Sequence, residues 1–317
     1  MLLAFSIILV ATIVPTYLYT RLFYWADRYE REPLWLVISA FLWGAIPAVV
    51  ASLIAEIILA TPTRHVGLIE DAISAPIVEE LSKGFALLLI FWFMRREFDG
   101  VLDGLIYGSM IGFGFAMTEN FLYFVGAYDQ GGYGNLTLIF FLRTVLFGLN
   151  HAFYTGFTGM GLGLARESAS ALARWIWPFV GLLFAITAHS LHNFGANLAE
   201  RNGFGLVLSL LVAMFGFILV LCTILLSWRY EWNSIRTELA EEVGFTLTAQ
   251  EYATLTQHWR NPLHRPKSEW VEANRLQLCV ELALRKRRFR RMGEQWEPTL
   301  LHEITQIRTQ LASVNPM

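Results

Sequence analysis

The chain has 317 residues, 24 Lys+Arg against 26 Asp+Glu, and a formal net charge of −2. It is 55% hydrophobic and only 16% charged, with a mean hydropathy of +0.47. Soluble domains average about 25% charged residues, so composition excludes an ordinary soluble protein and indicates a polytopic membrane protein.

The opening stretch M-L-L-A-F-S-I-I-L-V has no basic residues before its apolar run, and no A-x-A site follows it, so it reads as a retained segment. Seven apolar segments are long enough to cross about 30 Å of hydrocarbon at about 1.5 Å per residue. They lie near Leu2–Thr20, Pro33–Leu59, Ile69–Met94, Val101–Tyr128, Leu136–Ala165, Trp175–Leu198 and Phe204–Trp228. Arg21, Arg28, Arg31, Arg95, Arg96, Arg166 and Arg174 fall in alternate loops, while the other loops carry only Arg64 and Arg201. Positive-inside then places the N-terminus outside and the C-terminus in the cytoplasm.

The third segment holds the strongest anomaly. It reads P-I-V-E-E-L-S-K-G-F-A-L-L-L-I-F-W-F-M, with Glu79, Glu80 and Lys83 in its first two turns. A central charge costs about 2.5–3.5 kcal/mol on insertion scales, while each Leu, Ile, Phe or Val returns only about 0.3–0.6. Such residues face a bundle interior and mark a pathway or a site. Glu79 and Lys83 are four apart, and Glu80 and Lys83 are three apart, so either carboxylate can meet the ammonium.

The fourth segment carries Gly104, Gly108, Gly112 and Ala116, and the fifth carries Gly159 and Gly163. This small-xxx-small spacing lets helices approach closely. Further polar groups sit in apolar surroundings: Glu119-Asn120 after Phe115, then Arg143 and His151-x-x-x-Thr155, then His189-x-x-His192-Asn193. Arg143 suits an acidic partner, His192 and Thr155 suit helix–helix hydrogen bonds, and Glu56 suits a snorkelling role at a membrane end.

Past Trp228 the character changes. Residues 229–317 hold 13 of the 24 Lys+Arg and 11 of the 26 Asp+Glu. The last membrane helix is expected to run on to Gly244. Thr248 and Glu251 form a capping box. A helix from about Ser268 presents Leu276, Val280 and Leu284 on one side, and another carries Leu300, Ile304, Ile307 and Leu311. The run Arg285 to Arg291 suits either anionic lipid heads or a solvated helix end. Cys222 and Cys279 give neither a disulfide framework nor a metal cluster. The expected fold is therefore all-α: a transmembrane bundle of about seven spans over residues 1–228, with a small helical cytoplasmic tail over 229–317.

Several intramembrane chemistries lack their residues. His302-Glu303, in the tail, has no second His for H-E-x-x-H. Asp99 and Asp103 share one helix start, and Ser109 lacks a nucleophile motif. Carboxylates and histidines on four helices remain. They suit a Glu as general base with His and Asn donors to an oxyanion, or Glu and His as metal ligands.

The chain resembles the PrsW family of intramembrane proteases, which is related to the CAAX-processing and bacteriocin-processing membrane proteases. The resemblance rests on D-R-Y-E-R-E-P at Asp27 to Pro33, Glu79-Glu80-x-x-Lys83, and Asp103-Gly104 to Gly108. It continues through Gly114-Phe115 to Glu119-Asn120, Arg143 with His151, and His189-x-x-x-Asn193. Where the CAAX-type relatives have F-x-x-x-H, this chain has Glu119. The resemblance implies cleavage of a membrane-anchored protein in or beside the bilayer, with an anti-sigma factor as the substrate type. It makes Glu79 and Glu80 the catalytic pair, completed by Glu119, His151 and His189. One of the pair would be the base and the other the partner of Lys83. His189 and Asn193 would hold the oxyanion, or His189, His151 and Glu119 would hold a metal, zinc being the candidate; a metal-independent site is the other option. The expected partners are the protein substrate and the lipid bilayer, with no nucleic acid. A proton-coupled transporter or channel is the competing class, and it predicts inverted repeats, which the sequence lacks.

Overall fold

The computed structural model describes residues 2–60, 70–199, 201–258 and 270–313. Arg64, Ile69 and Ser268 lie outside them. The described residues are helical and form no β-strand. In chain order the helices are α1 (Leu2–Ala26), α2 (Leu34–Trp43), α3 (Val49–Ala60), α4 (Ala75–Phe93), α5 (Val101–Phe140), α6 (Asn150–Arg166), α7 (Ala171–Ala199) and α8 (Gly203–Ala240), then α9 (Ala249–His258), α10 (Trp270–Met292) and α11 (Leu300–Ser313). Wide π-helical turns at Gly44–Ala48 and Phe141–Leu146 carry α2 into α3 and lead out of α5. The first contains Pro47, whose missing N–H breaks the regular ladder.

Among the described residues, five helical stretches are long and apolar enough to cross a membrane: Leu2–Ala26, Leu34–Ile58, Val101–Arg166, Ala171–Ala199 and Gly203–Ala240. The third of these doubles back. Gly131 and Gly132 leave helical geometry, and Gly132 has φ +61°, a conformation open to glycine at little cost. Tyr128 then meets Tyr133, Phe124 meets Phe140, and Arg143 reaches Asn120, so the two arms run antiparallel. Helix α4 is apolar apart from Glu79, Glu80 and Lys83, whose three charges set it apart from the other five stretches.

The glycine stripes are where α5 and α6 meet. A side chain at Gly104 would lie 2.0 Å from the carbonyl oxygen of Gly159. One at Gly108 would lie 2.5 Å from that of Thr155, and one at Gly112 2.3 Å from that of His151. The backbones touch, so no larger residue fits without moving a helix. This contact fixes the depth of His151 and Thr155 against the buried face of α5.

The chain divides into two compact units. The first comprises Met1–Ala26, Glu32–Arg166 and Leu172–Thr223, and the second comprises Asp27–Arg31, Glu167–Ala171 and Ile224–Met317. The second unit has its own core of Tyr29, Ile235, Leu239, Leu255, Leu276, Val280, Ile304, Ile307 and Leu311. Its capping box forms as the sequence suggests: Glu251 N–H donates to Thr248 Oγ1 at 3.1 Å and Thr248 N–H to Glu251 Oε2 at 2.7 Å. The basic run is largely tied up inside this unit. Arg285 meets Glu30 at 3.2 Å, Lys286 meets Glu242 at 2.6 Å, Arg288 meets Glu297 at 2.7 Å and Arg291 meets Glu167 at 2.6 Å.

Glu242 anchors that network. Burial alone would raise its pKa, but hydrogen bonds from Arg308, Lys286 and Thr246 outweigh burial and lower it to about 2. An unfolded Glu titrates near about 4.3. The folded value lies below the unfolded one, so the contribution of Glu242 is complete above about pH 4.3 and is lost as pH falls towards 2. Protection against amide exchange over residues 235–258 and 270–311 of the full chain, taken relative to the unstructured rate at each pH, should therefore fall across that window. A Glu242→Gln variant should show faster exchange at pH 7 and a flatter acid response; an unchanged acid response would remove Glu242 from that role.

Candidate active site

Four helices deliver the site. Pro76 sits in the first turn of α4, where its missing N–H costs nothing, and the next turns bring Glu79, Glu80 and Lys83 to the interior. Lys83 Nζ lies 2.7 Å from Glu80 Oε1, 3.2 Å from Glu79 Oε2 and 3.4 Å from His151 Nδ1. It also stands 4.0 Å from the centre of the Phe115 ring, a cation–π contact made in a water-poor setting. Glu80 and Lys83 are fully buried. His189 Nδ1, from α7, is 3.0 Å from Glu80 Oε1, and Thr155 Oγ1, from α6, donates to Glu80 Oε2 at 3.1 Å. Both oxygens of Glu80 are therefore engaged.

Glu79 is placed differently. Its side chain keeps 10% exposure and its Oε2 lies 3.9 Å from His189 Nε2. Glu79, Glu119, His151, His189 and Asn193 line one cavity of about 560 Å³, while Glu80, Lys83 and Thr155 do not. Glu119 is held by Arg143 at 2.6 Å and by His151 Nε2 at 2.7 Å. Arg143 also donates to Asn120 Oδ1 at 2.8 Å and stacks over Tyr123. His192 packs on Phe147 and lies 3.2 Å from Asn150 Nδ2. Glu56 is half-buried and lines the same cavity.

Two motif elements from the sequence lie away from the cavity and hold helix starts. Asp103 Oδ2 accepts from the N–H groups of Asp99 at 2.8 Å and Gly100 at 2.7 Å, closing the first turn of α5. The Tyr107 hydroxyl donates to buried Glu32, tying the approach to α2 onto α5.

One feature of the site has no signal in the sequence. Tyr154 stacks on His189 with ring centres 4.6 Å apart and planes 17° from parallel, and so fixes the imidazole plane. A tyrosine on a glycine-rich helix reads as packing, and only the position of α7 gives it this role.

The family described as PrsW family intramembrane metalloprotease matches residues 32–223. The chain belongs to that family. It is 30% identical over 187 residues to Protease PrsW of Geobacillus kaustophilus, covering 57% of this chain and 76% of that protein. It is 28% identical over 187 residues to Protease PrsW of Bacillus subtilis, covering 59% and 81%. No solved structure matches the chain. PrsW membership makes the chain a membrane peptidase and decides against the transporter or channel. Every residue of the cluster just described falls within the matched region, and most of the second unit lies beyond it.

A PrsW metalloprotease implies a metal, and the donor chemistry fits one. Glu79, Glu80, His151 and His189 each offer a ligand atom, all within 4.8 Å of one another. Two carboxylates and two imidazoles are donors that zinc accepts. This set differs from Glu119, His151 and His189, the one expected from the sequence. The two sets share His151 and His189; Glu119 pairs with Arg143 and His151, and Glu79 and Glu80 join the two imidazoles as the candidate cluster.

Proposed function

We propose that the chain hydrolyses peptide bonds of a membrane-anchored protein, with Glu79 activating the attacking water. The observation that carries this reading is the unequal placement of the two adjacent carboxylates. Glu79 opens onto the cavity, and Glu80 is buried behind it with both oxygens engaged.

A carboxylate only accepts, so Glu80 draws the His189 proton onto Nδ1 and leaves a lone pair on Nε2. Glu79 Oε2 and His189 Nε2, 3.9 Å apart, then form a pair of acceptors that a single water can donate to. Glu79 takes the water's proton as its oxygen attacks the scissile carbonyl carbon. It returns the proton to the leaving amine nitrogen as the C–N bond breaks. The Asn193 amide, on the same cavity, is the donor for the oxyanion, joined by His189 only when it is protonated. Lys83 keeps its charge and orients Glu79, while Glu119 and Arg143 hold His151.

A zinc ion held by Glu79, Glu80, His151 and His189 would supply Lewis-acid polarisation and an acidified water. Lys83 Nζ already lies within 3.4 Å of three of these four donors, where its charge balances the carboxylates. Cleavage by purified protein is therefore expected to persist in a strong chelator. Loss of cleavage that zinc restores, with metal found by elemental analysis, would reassign the four donors to an ion.

The family resemblance supports a substrate of the anti-sigma-factor type, and residues 1–228 as the protease domain with 229–317 an appended cytoplasmic tail. With the N-terminus outside, Glu79 lies about ten residues, or roughly 15 Å, below the outer end of its segment. The cut should then fall in the outer half of the substrate's membrane segment or just beyond it. Mass spectrometry of the product termini measures this, and a cut on the cytoplasmic side would overturn the orientation.

A further inference from the structure

Helix α4 has a second occupied face. Away from Glu80 and Lys83, its residues Leu81, Phe85, Leu88 and Trp92 form one wall of an apolar groove of about 570 Å³ shared with α6 and α7. Gly84 recesses the floor: a methyl there would meet only Thr158 Cγ2 at 3.6 Å and Leu182 Cδ1 at 3.8 Å. From Leu81 to Trp92 the groove runs about 16 Å at about 1.5 Å per residue. That is half of a hydrocarbon core about 30 Å thick, the depth of one leaflet's acyl chains.

One end of the groove is basic. Arg95 follows α4, Arg166 ends α6 and Arg174 lies in the first turn of α7, and all three line it. Arg95 is exposed and has no ion-pair or hydrogen-bond partner among the described residues. Arg166 is fixed in place, donating from Nε to Phe98 O at 3.1 Å and from Nη2 to Phe91 O. No described carboxylate lines the groove. Trp92 and Trp175 flank this end, both largely exposed, as aromatic side chains do at headgroup level.

From these features we infer that the groove binds one anionic phospholipid, with its phosphate among Arg95, Arg166 and Arg174 and an acyl chain along Leu88 and Phe85. Basic pockets between membrane helices capture anionic headgroups, and the leaflet-length apolar channel selects a lipid over a free phosphate. The bound lipid braces α4 from the side away from Glu80. This inference depends on the membrane placement of the helices and not on the roles of Glu79 or His189, so the two readings fail separately.

The test is native mass spectrometry of the full chain purified in neutral detergent, titrated with phosphatidylglycerol and, separately, phosphatidylcholine. One phosphatidylglycerol per chain should be retained in preference to phosphatidylcholine. Replacing two charges, Arg95→Gln with Arg174→Gln, should weaken phosphatidylglycerol about thirtyfold and leave phosphatidylcholine unchanged. Gly84→Leu, which fills the floor without removing a charge, should abolish retention of both lipids. Inorganic phosphate should not compete at concentrations that leave the protein intact. Equal retention of the two lipids, undiminished phosphatidylglycerol in both variants, or displacement by free phosphate alone would overturn the inference. So would a photo-crosslinker at Leu88 that captures substrate peptide and no lipid.

Discussion

Glu79→Gln should lower cleavage by about 10²–10⁴-fold, the usual contribution of a positioned general base, and leave the protein folded. Glutamine keeps the size of the side chain, and its amide oxygen can still accept from Lys83, 3.2 Å away in the native site. It cannot take a proton from water. The loss should fall on kcat rather than on KM, because the base acts in the transition state and not in holding the substrate. Substrate binding and thermal stability, measured on the same preparation, should stay near wild type. A Glu79→Gln enzyme that cleaves at the wild-type rate would remove Glu79 from the reaction and return the assignment to Glu80.

Some of this was legible in the sequence for direct physical reasons. Gly104, Gly108 and Gly112 announce a close helix contact because only a missing side chain lets backbones touch, and the structure puts them against Gly159, Thr155 and His151. Glu79, Glu80 and Lys83 stand out because charge in an apolar helix is costly. The sequence could not rank Glu79 above Glu80. Neighbours on a helix point about 100° apart, and which direction is open depends on where α6 and α7 stand. The partner of Glu119 was hidden for the same reason: Arg143, more than twenty residues on, closes over it only once the chain doubles back. The basic run at Arg285 to Arg291 fitted lipid heads or a solvated helix end equally because its acidic partners, Glu30, Glu167 and Glu242, are remote in sequence. The arginines placed to meet lipid instead lie at three separate helix ends, a grouping that only the fold assembles.

Removing Glu80 should damage the fold itself, unlike the change at Glu79. Glu80→Ala deletes the acceptor for Lys83 at 2.7 Å, for His189 at 3.0 Å and for Thr155 at 3.1 Å. The hydroxyl contact is minor, since helix–helix hydrogen bonds in membranes average about 0.6 kcal/mol. The ammonium dominates. Lys83 is fully buried and would keep Glu79 as its one carboxylate partner, beside His151 and the Phe115 ring. Breaking a buried ion pair from one side costs about 3–5 kcal/mol, and insertion scales give a similar cost of about 2.5–3.5 kcal/mol for an unpaired lysine at mid-membrane. Glu80→Ala should therefore lose about 3 kcal/mol in reversible denaturant unfolding, together with all cleavage. A buried pair can be replaced by apolar residues of like volume at little cost. Glu80→Leu combined with Lys83→Met should accordingly recover most of the stability and none of the activity. If the double variant is no more stable than Glu80→Ala, the pair is not what holds α4 to α6 and α7. If it cleaves substrate, neither residue belongs to the catalytic centre.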